Sequence, residues 1–323
     1  VSGADGDRAD AVVRPLADPP ADYREEVLAA MPSLGRLYAK ALARSRTLVL
    51  TSRPLARHGL PQVVLRVDGV RADAAGLSQY QHLVGEPGTD VLPTGYVHVL
   101  AFPLAMAVMV RTDFPLPAVG MVHVANRVEQ HRALHLDETL TVRAWAENAR
   151  GHARGTQIDL VVVVSVDDEP VWRGISTYLA RRRLPGLTAP EADPGVAHQP
   201  VPATATTLWR LGADAGKRYA EVSGDRNPIH VSRLGARLFG FPRPIAHGMY
   251  TAALALAGTS PVRGMPLVWT VDFARPVLLP ATVGFATTRD GDVVRYAAWS
   301  ARTGKPYLIG TVTARLTETV TRR

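Results

Sequence analysis

The feature that most constrains the fold is that the chain repeats itself. Arg127-Val128-Glu129-Gln130-His131-Arg132-Ala133-Leu134 aligns without a gap with Thr270-Val271-Asp272-Phe273-Ala274-Arg275-Pro276-Val277, and the match continues to Thr139 against Thr282. Glu169-Pro170-Val171-Trp172-Arg173-Gly174 aligns with Lys305-Pro306-Tyr307-Leu308-Ile309-Gly310, which sets a Pro and a Gly at matching places. His98 and His247 each stand at the head of an apolar segment. Matches in one order along the chain point to an internal duplication, with the differences in spacing falling in loops.

Each half shows the same coarse order: a short helical entry, an apolar helix and several strands. In the second half the helix is expected over 247–258, apolar nearly all round as a helix wrapped by other structure must be. Strands are expected over 267–273, 281–288, 293–301 and 307–316, with Asp290-Gly291 and Thr303-Gly304-Lys305-Pro306 at the turns. The first half repeats this with a helix over 99–110 and strands over 121–128, 138–146, 157–166 and 171–179. A long helix buried against consecutive antiparallel strands is an α+β layer. Ahead of both halves, residues 1–22 read as a tail and 23–46 as a helix, with Leu28, Met31, Leu34, Leu37 and Leu42 near helical spacing. The expected domains are therefore 1–46, a tail and helix; 47–180, the first repeat; 181–206, a Pro-rich linker; and 207–323, the second repeat.

A length of 323 residues suits two such units, each with a core of its own. The excess of 37 Lys+Arg over 29 Asp+Glu gives a net charge of +8, but the arginines are scattered and no basic block interleaves with aromatics. Nucleic acid is not an expected partner; the pattern suits an anionic small ligand or an acidic carrier protein, and more simply a solvated arginine-rich surface. With 0 Cys the chain can have no disulfide, thiolate nucleophile or cysteine-ligated metal, which suits a reducing compartment. The longest apolar run, Val97 to Val110, is interrupted by Pro103 and is too short to span a bilayer. No leader-like apolar stretch stands in residues 1–22, so a soluble, cytoplasmic protein is expected.

The chemistry-bearing stretch is Ser223-Gly224-Asp225-Arg226-Asn227-Pro228-Ile229-His230, followed by Ala246-His247-Gly248-Met249. Asn227 is a good N-cap and Pro228 a good first helical residue, so a helix starts there on local grounds. Gly224 allows a tight turn before Asp225, and His230 falls in the first helical turn, so a carboxylate and an imidazole can project toward one spot. That pairing moves protons near neutral pH. At His247-Gly248 the apolar helix begins, and amides in a first helical turn lack intrahelical partners. They can stabilise charge developing on an oxygen.

Together these runs resemble the MaoC-like, or hydratase 2, family of (3R)-hydroxyacyl thioester dehydratases. The carrying residues are Tyr219, Ser223, Gly224, Asp225, Asn227, Pro228, His230 and Ala246 to Met249, and the resemblance covers most of 47–316. It implies a double hotdog, two repeats that each wrap an antiparallel sheet around a long helix. It implies Asp225 and His230 as the catalytic pair, the Gly248 amide holding the thioester carbonyl, and Tyr219, Ser223, Asn227 and His247 around the substrate. No metal or other cofactor is expected, and the substrate would be an acyl thioester of coenzyme A or acyl carrier protein. The first half lacks the motif: Tyr80-Gln81-His82-Leu83-Val84-Gly85-Glu86-Pro87 stands in its place, and Val99 follows His98. That repeat reads as catalytically silent, with Phe102, Leu104, Met106 and Met109 available to border an acyl chain. Other readings of the same residues are a non-catalytic thioester-binding subunit and a hotdog thioesterase. A two-halved chain contains its own pseudo-dimer, so either a monomer or a homodimer is expected.

Overall fold

The computed structural model describes residues 18–50, 59–188, 201–202, 204–259 and 266–314. Residues 1–17 of the expected tail and 189–200 of the expected linker lie outside the described residues.

The strands form one 11-stranded sheet. The first half supplies β2 (Val63–Val70), α2 (Ala74–Val84), α3 (Thr94–Met109), β3 (Val122–Gln130), β4 (Leu140–His152), β5 (Gly155–Val166) and β6 (Glu169–Ala180). The second supplies β7 (Thr207–Leu211), α4 (Ala215–Ser223), α5 (Pro228–Val231), α6 (Arg233–Leu238), α7 (Gly248–Gly258), β8 (Leu267–Phe273), β9 (Ala281–Asp290), β10 (Val293–Ser300) and β11 (Pro306–Ala314). The order β2-β4-β5-β6-β3 continues through β8-β11-β10-β9-β7, so the second half retraces the first from the middle outward. Each half opens on a strand before its short helix, a strand that the expected helical entry did not include. The α+β double hotdog implied by the family resemblance is the architecture the chain adopts.

The register shows the duplication atom by atom. Across the β3–β8 seam Arg127 faces Thr270, the residue that aligns with it in sequence, so a pseudo-twofold axis passes between them. Gly174 pairs with Val128 and Gly310 with Val271, again matching residues on matching partners. A side chain on Gly174 would run into the Trp172 indole, and one on Gly310 into the Thr270 carbonyl and the Tyr296 phenol. The repeated glycine is a packing requirement made twice.

Two expectations need correction. The segment expected as a helix over 23–46 begins as a strand, β1 (Arg24–Val27), parallel to β2 at the sheet edge, and the helix α1 (Leu34–Leu50) starts only after Pro32-Ser33. Proline disfavours the helical region for the residue before it and cannot donate within a helix, so the segment is divided there. The second correction concerns His98. The Leu92 amide bonds the Leu134 carbonyl as the Ala246 amide bonds the Val277 carbonyl. The bridge Val91 to His135 likewise matches Ile245 to Leu278. The counterparts of His247 and Gly248 are thus Pro93 and Thr94, and α3 begins a turn before His98.

Helices α3 and α7 are the two central helices. They are buried on nearly every side, which explains their lack of a polar face. Among the described residues no helix is long and apolar enough to cross a membrane.

Candidate active site

The site starts at the end of α4. Gly224 takes φ 72°, a left-handed C-cap that turns the chain sharply outward. Ser223 Oγ fixes the turn, donating to the Tyr219 carbonyl at 2.8 Å and accepting from the Asp225 amide at 3.2 Å. The Asn227 side chain caps α5, accepting from the Ile229 amide at 3.3 Å, while the Asn227 backbone N–H donates to Asp225 Oδ1 at 3.1 Å. Asn227 therefore builds the loop and aims the carboxylate together. Gly216 on α4 matters for a separate reason: a side chain there would collide with the His230 carbonyl, so glycine lets α4 and α5 close up and set His230 beside Asp225.

The ligand atoms of Asp225, His230 and His247 all lie within 4.8 Å of one another. His230 Nδ1 lies 2.8 Å from the Ile245 carbonyl, to which only a protonated nitrogen can bond; its proton is therefore on Nδ1 and the Nε2 lone pair is free. His247 Nε2 lies 2.9 Å from the Asp225 carbonyl and donates to it. The two imidazoles stack with centroids 3.7 Å apart, and Tyr219 packs 4.9 Å from His247. Among the described residues these three are the group that could hold a cation; His247 would have to give up its bond to the Asp225 carbonyl to offer Nε2.

Burial and the neighbouring His247 push the His230 imidazole down to about 3, so it is neutral at physiological pH. Burial also raises the Asp225 carboxyl, but the two imidazoles, the Tyr38 hydroxyl and the Asn227 amide outweigh it and hold the group below the usual carboxylate range. The resting site thus has an ionised carboxylate beside a neutral imidazole. Gly248 is the first residue of α7, with His247 as its N-cap at φ −62° and ψ 135°, so its amide has no carbonyl a turn earlier to bond. A side chain at Gly248 would approach Phe273 at 3.2 Å.

These groups open into one cavity of about 810 Å³, whose wall includes Tyr219, Ser223, Asp225, Asn227, His230, His247 and Gly248. Residues 191–305 match the family described as the MaoC like domain. The chain is 35% identical over 253 residues to 3-hydroxyacyl-thioester dehydratase X of Mycobacterium tuberculosis, an alignment covering 78% of this chain and 90% of that protein. The chain belongs to the MaoC-like dehydratase family.

The crystal structure of HtdX from the same bacterium superposes on this MaoC-like chain with a TM-score of 0.68 and 32% identity, covering 78% of this chain and 100% of that one. A MaoC-like dehydratase from Phytophthora capsici, at 18% identity and a TM-score of 0.64, covers 80% of this chain and 97% of its own and shares the fold. Like its relatives, this MaoC-like protein is a hydro-lyase.

Some residues around the dyad escaped the sequence reading. Tyr38, on α1 and outside both repeats, donates its hydroxyl to Asp225 Oδ1. Its neighbours Leu34, Leu37 and Ala41 form the buried stripe of α1, so a tyrosine at helical spacing within that stripe was the available signal. From the first half, Phe102, Met106 and Met109 line the cavity, whereas Leu104 is fully buried in the core. His98, His123 and Tyr178 join them on the wall. Where the second half offers the Gly248 amide, the first has Thr94, whose hydroxyl accepts from the Trp172 indole at 2.7 Å.

Proposed function

We propose that this dehydratase catalyses the reversible hydration of trans-2-enoyl thioesters to (3R)-3-hydroxyacyl thioesters carried on coenzyme A or acyl carrier protein. Catalysis is the work of the second repeat, 207–323, while the first, 47–180, serves as the wall of the acyl site, with 1–46 as an N-terminal arm and 181–206 as a linker. The observation that carries this reading is the meeting of a carboxylate, a neutral imidazole and an unpaired helix-terminal amide in one cavity roomy enough for an acyl chain. The names of the relatives, a 3-hydroxyacyl-thioester dehydratase among them, support the substrate class.

The protonation states dictate the proton path. Neither Asp225 nor His230 offers an acidic proton at rest, since the carboxyl is ionised and the imidazole's Nδ1 proton is donated to the Ile245 carbonyl. In hydration, water between Asp225 Oδ2 and His230 Nε2 gives its hydroxyl to C3 and its proton to this pair. The same proton passes to C2, which balances the reaction and places both additions on one face of the alkene. As C3 is attacked, negative charge develops on the thioester oxygen, and the Gly248 amide at the positive end of α7 stabilises it. That donor is most effective where charge appears only in the transition state. Tyr219, Ser223, Asn227 and His247 hold these groups and border the substrate.

The built-in pseudo-dimer lets one chain form a complete site, alone or within a homodimer, and a chain without cysteine is compatible with a cytoplasmic setting. Purified protein is expected to remove the enoyl absorbance of trans-2-enoyl-CoA without releasing thiol and to yield the 3R alcohol. Thiol release without hydration would make it a thioesterase, and a 3S product would contradict the assigned face.

A further inference from the structure

His98 lost its role as the counterpart of His247, and its surroundings suggest another. The first-half wall of the cavity is apolar along Val99, Phe102, Met106, Met109 and Met121. Set into it are His98 and Tyr178, each only 9% exposed. Neither side chain makes a hydrogen bond among the described residues, and their polar atoms are absent from the fully enclosed, unpartnered set. What remains exposed of them therefore faces the cavity that both line. His123 stacks against Tyr178 at 4.7 Å and against His98 at 6.4 Å, fixing the two rings as a unit.

A third polar group without an intrahelical partner lies on the same stretch of α3. Pro103 lies inside α3 and has no N–H, so the Val99 carbonyl lacks the donor one turn on that an α-helix would supply. Val99 lines the cavity beside His98. Buried polar groups left without partners are unfavourable, and an apolar wall for a plain hydrocarbon chain has no use for three of them. Asp225 lines the same cavity as His98 and Tyr178, so the patch shares one enclosed space with the reacting groups. Burial pushes the His98 imidazole down to about 4, so it faces a ligand as a neutral donor and acceptor.

We infer that His98 and Tyr178, with the Val99 carbonyl, form a polar subsite for an oxygen substituent, a hydroxyl or oxo group, on the acyl chain beyond C3. This rests on the hydration reading above and narrows it to oxygenated enoyl thioesters as the preferred class. The Tyr178 hydroxyl donates to the substituent, the imidazole of His98 donates or accepts, and a substrate hydroxyl returns its own proton to the Val99 carbonyl.

The test compares kcat/KM for trans-2-enoyl-CoA with chain-matched substrates bearing one hydroxyl at successive carbons beyond C3. Wild-type enzyme is expected to favour one hydroxylated position by roughly tenfold, the scale of a hydrogen bond made in a desolvated site. Tyr178→Phe and His98→Leu should each bring that ratio close to one, while His98→Gln, which keeps a donor and an acceptor, restores part of it. Near-ultraviolet circular dichroism checks that the variants fold. A wild-type preference for the plain chain at every position, or variants that slow both series in parallel, would overturn the subsite and leave the hydratase reading standing. Failure of wild-type enzyme to hydrate either series would overturn both.

Discussion

The two repeats run the same course until the end of their short helices, and the difference that follows locates the chemistry. Both helices finish on a left-handed glycine, Gly85 at φ 76° and Gly224 at φ 72°, and both glycines are followed by an acid, Glu86 or Asp225. The first half then goes almost directly to its bridge at Val91, whereas the second inserts α5 and α6 before reaching the equivalent bridge at Ile245. That insertion carries Asn227 and His230, and at its far end His247-Gly248 replaces Pro93-Thr94. The scaffold supplies a turn that presents a carboxylate; the insertion and the altered helix start turn it into a proposed catalytic site.

The largest effects should follow from removing what only the second half has. Asp225→Asn and His230→Ala are each expected to lower kcat by about a thousandfold with the fold intact, the scale of a lost acid–base group. Glu86→Gln, the matching change in the first half, should leave kcat within roughly twofold, as for a substitution away from the reacting groups. Steady-state hydration rates for the three variants decide the matter, and a comparable loss in Glu86→Gln would end the contrast between the repeats.

The next effect addresses the helix start. Gly248→Pro removes the amide proton at a helical position where proline is tolerated, and the extended backbone of His247 already suits a residue preceding proline. A loss of about a hundredfold in kcat is expected for a missing oxyanion donor. Gly248→Ala keeps the amide while placing a carbon 3.2 Å from the Phe273 ring, so it measures crowding alone. If alanine and proline cost the same, the amide has no part in catalysis.

Much of this was legible in the residues because it is local. The Gly224 turn, the Asn227 cap and the β8 limits follow from turn and cap chemistry and strand alternation, which act over a few residues. The duplication was legible because Gly174 and Gly310 both stand where no side chain fits. Tyr38 was not, since its value depends on α1 meeting a carboxylate far along the chain. His98 misled because a histidine beside an apolar run looks alike one turn inside a helix and at its cap; only the bridge at Val91 tells them apart. Pro32 could have marked the division between β1 and α1.

Tyr38 gives a smaller effect that sharpens the comparison, because α1 serves only the second half's acid. Burial first, then the nearby Asp225 charge, pushes the Tyr38 phenol far up, so it stays protonated and donates to Asp225 at every accessible pH. Tyr38→Phe keeps the ring but withdraws one of the groups that hold the Asp225 carboxyl low. The carboxyl then titrates at higher pH, so the acid limb of the kcat/KM profile should move up, with about a tenfold loss on that limb. A uniform loss without displacement of the limb would make Tyr38 a packing residue only.

The smallest expected effect is on acid stability, and there both halves contribute. Burial pushes His98 down to about 4 and His123 to about 3 in the first half, and in the second His230 to about 3 with His247 also lowered. An unfolded histidine titrates near about 6.5, so below that pH the unfolded chain binds protons that the folded chain refuses. The stabilisation from keeping these rings neutral is whole above the unfolded value and is lost progressively as pH falls toward the folded ones. The depressed Asp225 carboxyl adds a loss only at still lower pH, as pH falls through its folded value. The thermal midpoint of the wild type should therefore decline from about pH 6.5 downward, as stability falls by up to about 1.4 kcal/mol per pH unit for each such histidine. His98→Leu with His123→Leu should flatten that slope more than His230→Ala does, since the double variant removes two of the four depressed imidazoles and the single variant one. Thermal melts across the acid range provide the measurement, and an unchanged slope in the double variant would mean that those two rings take up their protons within the folded protein.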